Sequence, residues 1–183
     1  MGRFALVSLG WLILAVSLSG AGAQLCCPFT WYTYRGVCYK VFDKKFRTWK
    51  DAEAFCTNKS PGCHLASIHS ETESAAIADY FHKVEIYGNI WIGLWDPLRH
   101  RTWQWSDGSK TDFSSWDEGE PNNYGGNEYC VELRERKGYR KWNDRNCDHG
   151  SPFLCKCPLK FQHKNEETLE TKIAAPDSTP APQ

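Results

Sequence analysis

The hydrophobic pattern changes character along the chain, and each change marks an element. Phe4 to Leu18 is apolar except for Ser8, Gly10 and Ser17, follows Arg3, and runs toward Ala21-Gly22-Ala23. A positive start, a short apolar stretch and an A-x-A cleavage site predict a signal peptide over residues 1–23. The stretch is short for a bilayer span of about 20 apolar residues, and no second long apolar run follows. A secreted, extracellular protein without membrane insertion is therefore expected. Cys27 to Trp31 and Gly36 to Phe42 read as two short strands around a turn. Thr48-Trp49-Lys50-Asp51 resembles a capping box, and Trp49, Ala52 and Cys56 fall on one helical face behind it. Ser70-Glu71-Thr72-Glu73 opens a second helix, whose apolar stripe is Ile77, Tyr80, Phe81 and Val84. Trp91-Ile92-Gly93-Leu94 reads as a buried strand, and Thr102 to Trp105 alternates like a strand before the Asp107-Gly108 turn.

From Phe113 to Asn127 the periodicity stops. The segment is dense in Gly, Asn, Asp, Ser and Pro, and a loop of that length in a compact domain is usually functional or disordered. Cys130 to Leu133 and Tyr139 to Asn143 then predict a hairpin, and Pro152 to Cys155 a closing strand. The expected organisation is one globular domain over residues 24–158 and a disordered tail over 159–183, which is poor in large apolar residues and carries Pro176, Pro180 and Pro182.

Cysteine and charge narrow the class. All nine cysteines lie beyond the signal peptide: Cys26, Cys27, Cys38, Cys56, Cys63, Cys130, Cys147, Cys155 and Cys157. In a secreted chain they predict disulfides, and an odd number leaves one free or paired with another chain. Removing residues 1–23 takes away one of the 22 basic residues and none of the 22 acidic ones, leaving a net charge of −1. No basic patch dominates the linear sequence, so nucleic acid and anionic membrane are poor candidate partners.

The candidate chemistry sits in and just beyond the irregular segment. Glu120-Pro121-Asn122 is followed by Glu128, and downstream stands Trp142-Asn143-Asp144. Glu120, Asn122, Glu128, Asn143 and Asp144 offer five oxygen-bearing side chains. Calcium takes about 6–8 oxygen ligands; five side chains and the Asp144 carbonyl would supply about six and leave two places for neighbouring hydroxyls of a sugar. Each carboxylate accepts a hydrogen bond from a hydroxyl and each amide donates one. A cis bond at Pro121 would aim both of its neighbours at one ion. Trp142 is expected in the core behind Asn143 and Asp144, and Tyr124 on the loop surface. Asn58-Lys59-Ser60 is a glycosylation sequon, with Pro61 beside it.

These residues resemble the C-type lectin domains. The resemblance covers about residues 27 to 157 and rests on Cys27 with Cys38, Trp91 to Leu94, Glu120-Pro121-Asn122, Cys130 with Cys147, and Trp142-Asn143-Asp144. Gly36 to Phe42, Thr48 to Glu53, Pro61 to His69 and Tyr139 to Asp144 look like the snake-venom members in particular. The resemblance implies an α+β fold of two helices and two small antiparallel sheets, with a long calcium-binding loop. It implies disulfides Cys27–Cys38, Cys56–Cys155, Cys63–Cys157 and Cys130–Cys147, with Cys26 left over. Glu-Pro-Asn implies preference for mannose-type glycans, where Gln-Pro-Asp marks galactose. Asn123 and Tyr129 stand where some relatives carry acidic ligands of an auxiliary ion, so one Ca2+ is expected. The stretch Ser106 to Thr111 lacks the cysteine that links two chains in galactose-binding venom lectins, which leaves Cys26 as a possible link for a homodimer. The implied function is a secreted, non-enzymatic, calcium-dependent lectin, a venom component that crosslinks or agglutinates cells. The competing reading is a lectin-like binder of haemostasis factors or platelet receptors that has no use for sugar. An enzyme ranks last: no nucleophile motif is present, and His64 and His69 lack zinc-protease spacing.

Overall fold

The structure, a computed structural model, describes residues 24–162, and side chains over residues 27–159. The expected signal peptide, nearly all of the expected tail and the side chain of Cys26 lie outside the described residues. The elements run β1 (Gln24–Cys26), β2 (Tyr32–Tyr34), β3 (Val37–Arg47), α1 (Trp49–Thr57), β4 (His64–Leu65), α2 (Glu71–Lys83), β5 (Ile90–Trp95), β6 (Gln104–Trp105), β7 (Cys130–Leu133), β8 (Trp142–Arg145), β9 (Ser151–Pro158) and β10 (Lys160–Gln162). Strands β1 and β10 pair with each other, so regular structure continues past residue 158.

The helices start where the sequence places them. The Thr48 hydroxyl accepts from Asp51 N–H and the Ser70 hydroxyl from Glu73 N–H, each meeting one of the unpaired donors of a helix start. Trp49, Ala52 and Cys56 are buried on α1; Ile77, Tyr80 and Phe81 are buried on α2. Val84 is not part of that stripe: the helix ends at Lys83, and Val84, its C-cap, is 44% exposed. The first hairpin is also displaced. Pro28 lacks an N–H, and Trp31 N–H donates to Pro28 O across a turn in which Thr30 takes φ 75°, so pairing starts at Tyr32 rather than Cys27. Likewise Tyr139, at φ 60°, sits in a turn, and the second strand of the late hairpin starts at Trp142.

The main sheet has the order β2-β3-β9-β5-β7-β8, with β4 on β9 and β6 on β5. Every pairing is antiparallel except β5 with β9, which meet in parallel at Trp91 and Phe153. Two antiparallel pieces, β2-β3-β9-β4 and β6-β5-β7-β8, are thus joined by one parallel contact. The continuous apolar run of β5 follows from this position. Trp91 and Ile92 belong to different buried clusters on opposite faces of the strand, so polar alternation is lost. Between them and Leu94, Gly93 is required by space: a Cβ there would lie 2.6 Å from Leu65 O and 2.9 Å from Ser106 Oγ.

Four disulfides brace the domain: Cys27–Cys38, Cys56–Cys155, Cys63–Cys157 and Cys130–Cys147. The pairing is the one implied by the resemblance. Cys56–Cys155 ties α1 to β9, and Cys130–Cys147 closes the β7–β8 hairpin directly below the irregular loop. A polar cluster lies under α2, where Glu73 accepts from the Tyr39 hydroxyl, from His69 N–H at 2.7 Å and from Lys156 Nζ at 2.9 Å. No helix among the described residues is long and apolar enough to cross a membrane.

Candidate functional site

The irregular segment is held against β8 before any site residue is reached. Trp142 N–H donates to Ser115 O and Asp117 N–H to Trp142 O, both at 2.9 Å. Trp142 is fully buried, with the rings of Trp105, Phe113 and Trp116 packed edge-on around it. It is core, as expected, and it fixes the height of the next two residues on the strand.

Asp144 organises the loop. It has no exposed surface, and its two oxygens accept from Asn122 N–H at 3.0 Å and Asn123 N–H at 2.9 Å. The bend that follows is held from inside: Asn123, at φ 51°, accepts from Glu128 N–H at 2.9 Å. Tyr124 N–H is shared between Asn122 Oδ1 at 2.7 Å and Glu128 Oε2 at 2.8 Å, so one donor gathers an amide and a carboxylate that are six positions apart. The Glu120–Pro121 peptide bond is cis. Asn143, on β8, donates through Nδ2 to Glu132 Oε1 at 3.0 Å, which orients its amide and leaves Oδ1 as the outward oxygen.

Charge in this loop is only partly balanced. Arg134 lies 3.2 Å from Glu120 Oε1 and 2.6 Å from Asp117, while Arg101 reaches Asp144 at 3.0 Å. Glu120 Oε2 is buried and has no hydrogen-bond partner. Burial pushes the Glu120 carboxyl above the usual range, and the Asp144 charge adds to that in spite of Arg134. Burial likewise raises Glu128, helped by the negative charges of Asp144 and Glu120. These effects mark a pocket with more negative charge than its own cations neutralise. The donors are all oxygen, the preference of a hard divalent ion, and an orphaned buried carboxylate oxygen is an atom such an ion would satisfy. The residues present fit a divalent cation. Among the described residues no three His, Cys, Asp or Glu side chains already converge as a metal cluster, and Asp144 and Glu120 each lie within ion-pair distance of an arginine.

All five expected residues thus lie around one loop and one strand. Arg101, Arg134 and Asp117 shape the site and escape a reading of the sequence. Arg101 is 43 positions from Asp144, and nothing local announces it. Arg134 and Asp117 form a pair behind Glu120, with Lys137 at 3.1 Å from Asp117. Glu132 left a legible trace: a carboxylate inside the apolar run Cys130 to Leu133. It is fully buried and accepts from Asn89, Asn143 and Arg145. Tyr124 is 81% exposed beside the site. An open depression of about 500 Å³ adjoins Glu128, lined by Arg145, Asn146, Asp148 and His149.

Residues 45–157 match the family model described as the lectin C-type domain. Over 158 residues the chain is 51% identical to a C-type lectin of Thrasops jacksonii, covering 86% of this chain and 99% of that one. It is equally 51% identical over 158 residues to a C-type lectin mannose-binding isoform of Oxyuranus scutellatus, with the same coverage. Among solved structures, human lithostathine superposes with a TM-score of 0.68 at 34% identity, over 72% of this chain and 99% of that chain. On its fold, its disulfide pairing and these likenesses, the chain belongs to the C-type lectin domain family.

Proposed function

We propose that this protein is a secreted lectin that binds mannose-type glycans through one calcium ion held by Glu120, Asn122, Glu128, Asn143 and Asp144. The observation that carries the reading is the charge and donor pattern of that loop: three carboxylates and two amides, with a buried Glu120 oxygen lacking any partner. Calcium bound there would supply a hard Lewis acid that takes two adjacent sugar hydroxyls as ligands. The protein's own share is to hold those hydroxyls by hydrogen bonds. Glu120 and Glu128 accept one each. Asn122 donates through Nδ2, since its Oδ1 faces Tyr124 N–H. Asn143 donates through the N–H that Glu132 leaves unused. Exchanging amide and carboxylate at residues 120 and 122 would exchange donor and acceptor, which is the chemical sense of the mannose preference. Pro121 sets the spacing between the two.

The relative named as mannose-binding supports the sugar class, and four disulfides suit an oxidising, extracellular setting. Crosslinking of cells, as a venom component would perform it, needs more than one site per particle. A homodimer through Cys26 would provide that, and two-site avidity raises weak binding by about 10²–10⁴. Asn58, exposed at the end of α1, is open to glycosylation. The role is one of binding rather than catalysis. The test is retention on immobilised mannose in calcium, with elution by chelator or free mannose; retention indifferent to chelator would overturn the reading. A second reading, a protein binder that does not use sugar, is favoured by one observation: Arg101 and Arg134 already hold two of the carboxylates. Platelet or clotting-factor binding untouched by chelator would establish it.

A further inference from the structure

The balanced net charge conceals a concentration of positive charge away from the calcium loop. Phe55, on the outer side of α1, packs edge-on against Phe42 of β3 and Phe153 of β9. Around its ring stand three cations from two separate segments: Lys59 Nζ at 4.1 Å from the ring centroid, Arg47 Cζ at 5.1 Å and Lys45 Nζ at 5.5 Å. Lys59 Nζ also lies 5.5 Å from the Phe42 centroid. None of the three has a carboxylate within ion-pair distance among the described residues; Asp51, nearby in sequence, is bonded to Thr48, and Glu53 to His64. Arg47 Nε is buried and has no hydrogen-bond partner. Lys44 and Lys50 are exposed on the same stretch of chain.

Each cation gains from the negative face of an aromatic ring. That gain explains one such contact, but not three mutually repelling charges around one ring. Several other cations meet carboxylates, among them Arg101, Arg134, Lys137, Arg140, Arg145 and Lys156, and Arg35 and Arg99, over the rings of Tyr34 and Tyr129, each stand alone there; only around Phe55 do three gather on one ring among the described residues. Three unneutralised charges with an unsatisfied guanidinium N–H are complementary to multiply charged anions.

We propose that Lys45, Arg47 and Lys59 form a second carbohydrate site, one that binds the sulfate groups of an acidic polysaccharide without calcium. A sulfated chain offers several fixed anionic groups along one strand, as the cations here are set along β3 and the turn after α1. Its hydroxyls and sulfates also suit a rim of lysines, which act as point charges with rotatable donors. Nucleic acid is less suited, because the Phe55 face that would stack a base is covered by the cations. The site is independent of the mannose reading, since it shares no residue with the calcium loop.

The test is binding of the mature protein, lacking a glycan at Asn58, to an immobilised, highly sulfated heparin-type oligosaccharide in chelator. The wild type is expected to bind and to be released by salt, as surface charge contacts are. Lys45→Gln with Lys59→Gln should weaken binding at least tenfold. The control pair Lys110→Gln with Lys141→Gln, which removes the same charge elsewhere, should leave it within twofold. The desulfated oligosaccharide should not bind. Thermal unfolding of both pairs, matched to wild type, establishes that the fold is kept. Equal weakening by both pairs would assign the effect to net charge and overturn the proposal. So would failure of the sulfated chain to bind, or retention by anionic phospholipid vesicles alone.

Discussion

At the scale of single residues, the proposed site would set one external cation against two internal ones. Arg101 pairs with Asp144 while staying 35% exposed, so its hold is that of a partly screened ion pair, about 0.2–1 kcal/mol. Replacing it by alanine should tighten calcium binding by roughly two- to fivefold, measured by calorimetric titration; weaker binding would mean that Arg101 supports the loaded site instead. Glu120→Gln removes one of three carboxylates and should weaken calcium at least tenfold, with the unfolding temperature in chelator nearly unchanged. The raised carboxyls of Glu120 and Glu128 set the pH dependence. A raised folded-state value means that each contributes stability when protonated, and that this is lost as pH rises through the folded value. Calcium needs the ionised form. In chelator, acidification should therefore relieve the loop, while the increase in melting temperature given by calcium should shrink as pH falls, beginning above the usual carboxylate range. An increment constant down to pH 4 would contradict the carboxylate cage. Four of the five ligand candidates were legible in the sequence because Glu-Pro-Asn and Trp-Asn-Asp are local patterns, and Glu128 was read from its place eight residues after Glu120. Arg101, Arg134 and Asp117 were not, because an ion pair between distant positions leaves no local periodicity.

At the scale of elements, the same logic runs with the opposite sign. Burial opposes ionisation of Glu73, but the Tyr39 hydroxyl, His69 N–H and Lys156 outweigh it and hold the carboxyl below its ordinary value. Asp107 is likewise low: burial opposes ionisation there too, and the hydroxyls of Ser109 and Ser67 overcome it. Stability from these groups is present above the unfolded value and lost as pH falls through the lowered folded one. Their window lies below that of Glu120 and Glu128, so calcium should be released from a protein still folded. Glu73→Ala, which leaves the buried Tyr39 hydroxyl unpaired and the Lys156 ammonium with only its bonds to Ser67, should cost about 2–4 kcal/mol in denaturant unfolding, while Ser70→Ala, losing only a helix cap, should cost about 1 kcal/mol. Near-equal losses would argue that the cluster under α2 is solvated. The caps were readable because they are local, four-residue patterns. The displaced first hairpin and the late start of β8 were not: Thr30 adopts positive φ in a turn without glycine or asparagine, and Tyr139 continues the left-handed turn one residue beyond Gly138.

At the scale of the whole molecule, long-range closure carries much of the order. Cys56–Cys155 spans 99 positions and joins α1 to β9. Because Cys63–Cys157 already closes nearly the same stretch, replacing Cys56 and Cys155 by alanine opens an extra loop of only about ten residues and should lower unfolding free energy by about 3 kcal/mol, seen as a shifted urea midpoint; a loss under 1 kcal/mol would place the constraint in packing instead. Which cysteines pair was implied by family resemblance, not by spacing. The joining of two antiparallel pieces through Trp91 and Phe153 was likewise outside any local pattern. That join matters for binding, because it sets the β7–β8 hairpin, and with it Asn143 and Asp144, on a rigid base under a loop that has little regular structure of its own.

The most direct measurement is a calorimetric titration of the mature protein with methyl mannoside, in calcium and again in chelator, repeated on the exchange Glu120→Gln with Asn122→Asp. The account expects one weak sugar site per chain in calcium, none in chelator, and a shift from mannose toward galactose in the exchanged protein. Mannose binding that persists in chelator, or that survives the exchange unchanged, would contradict it.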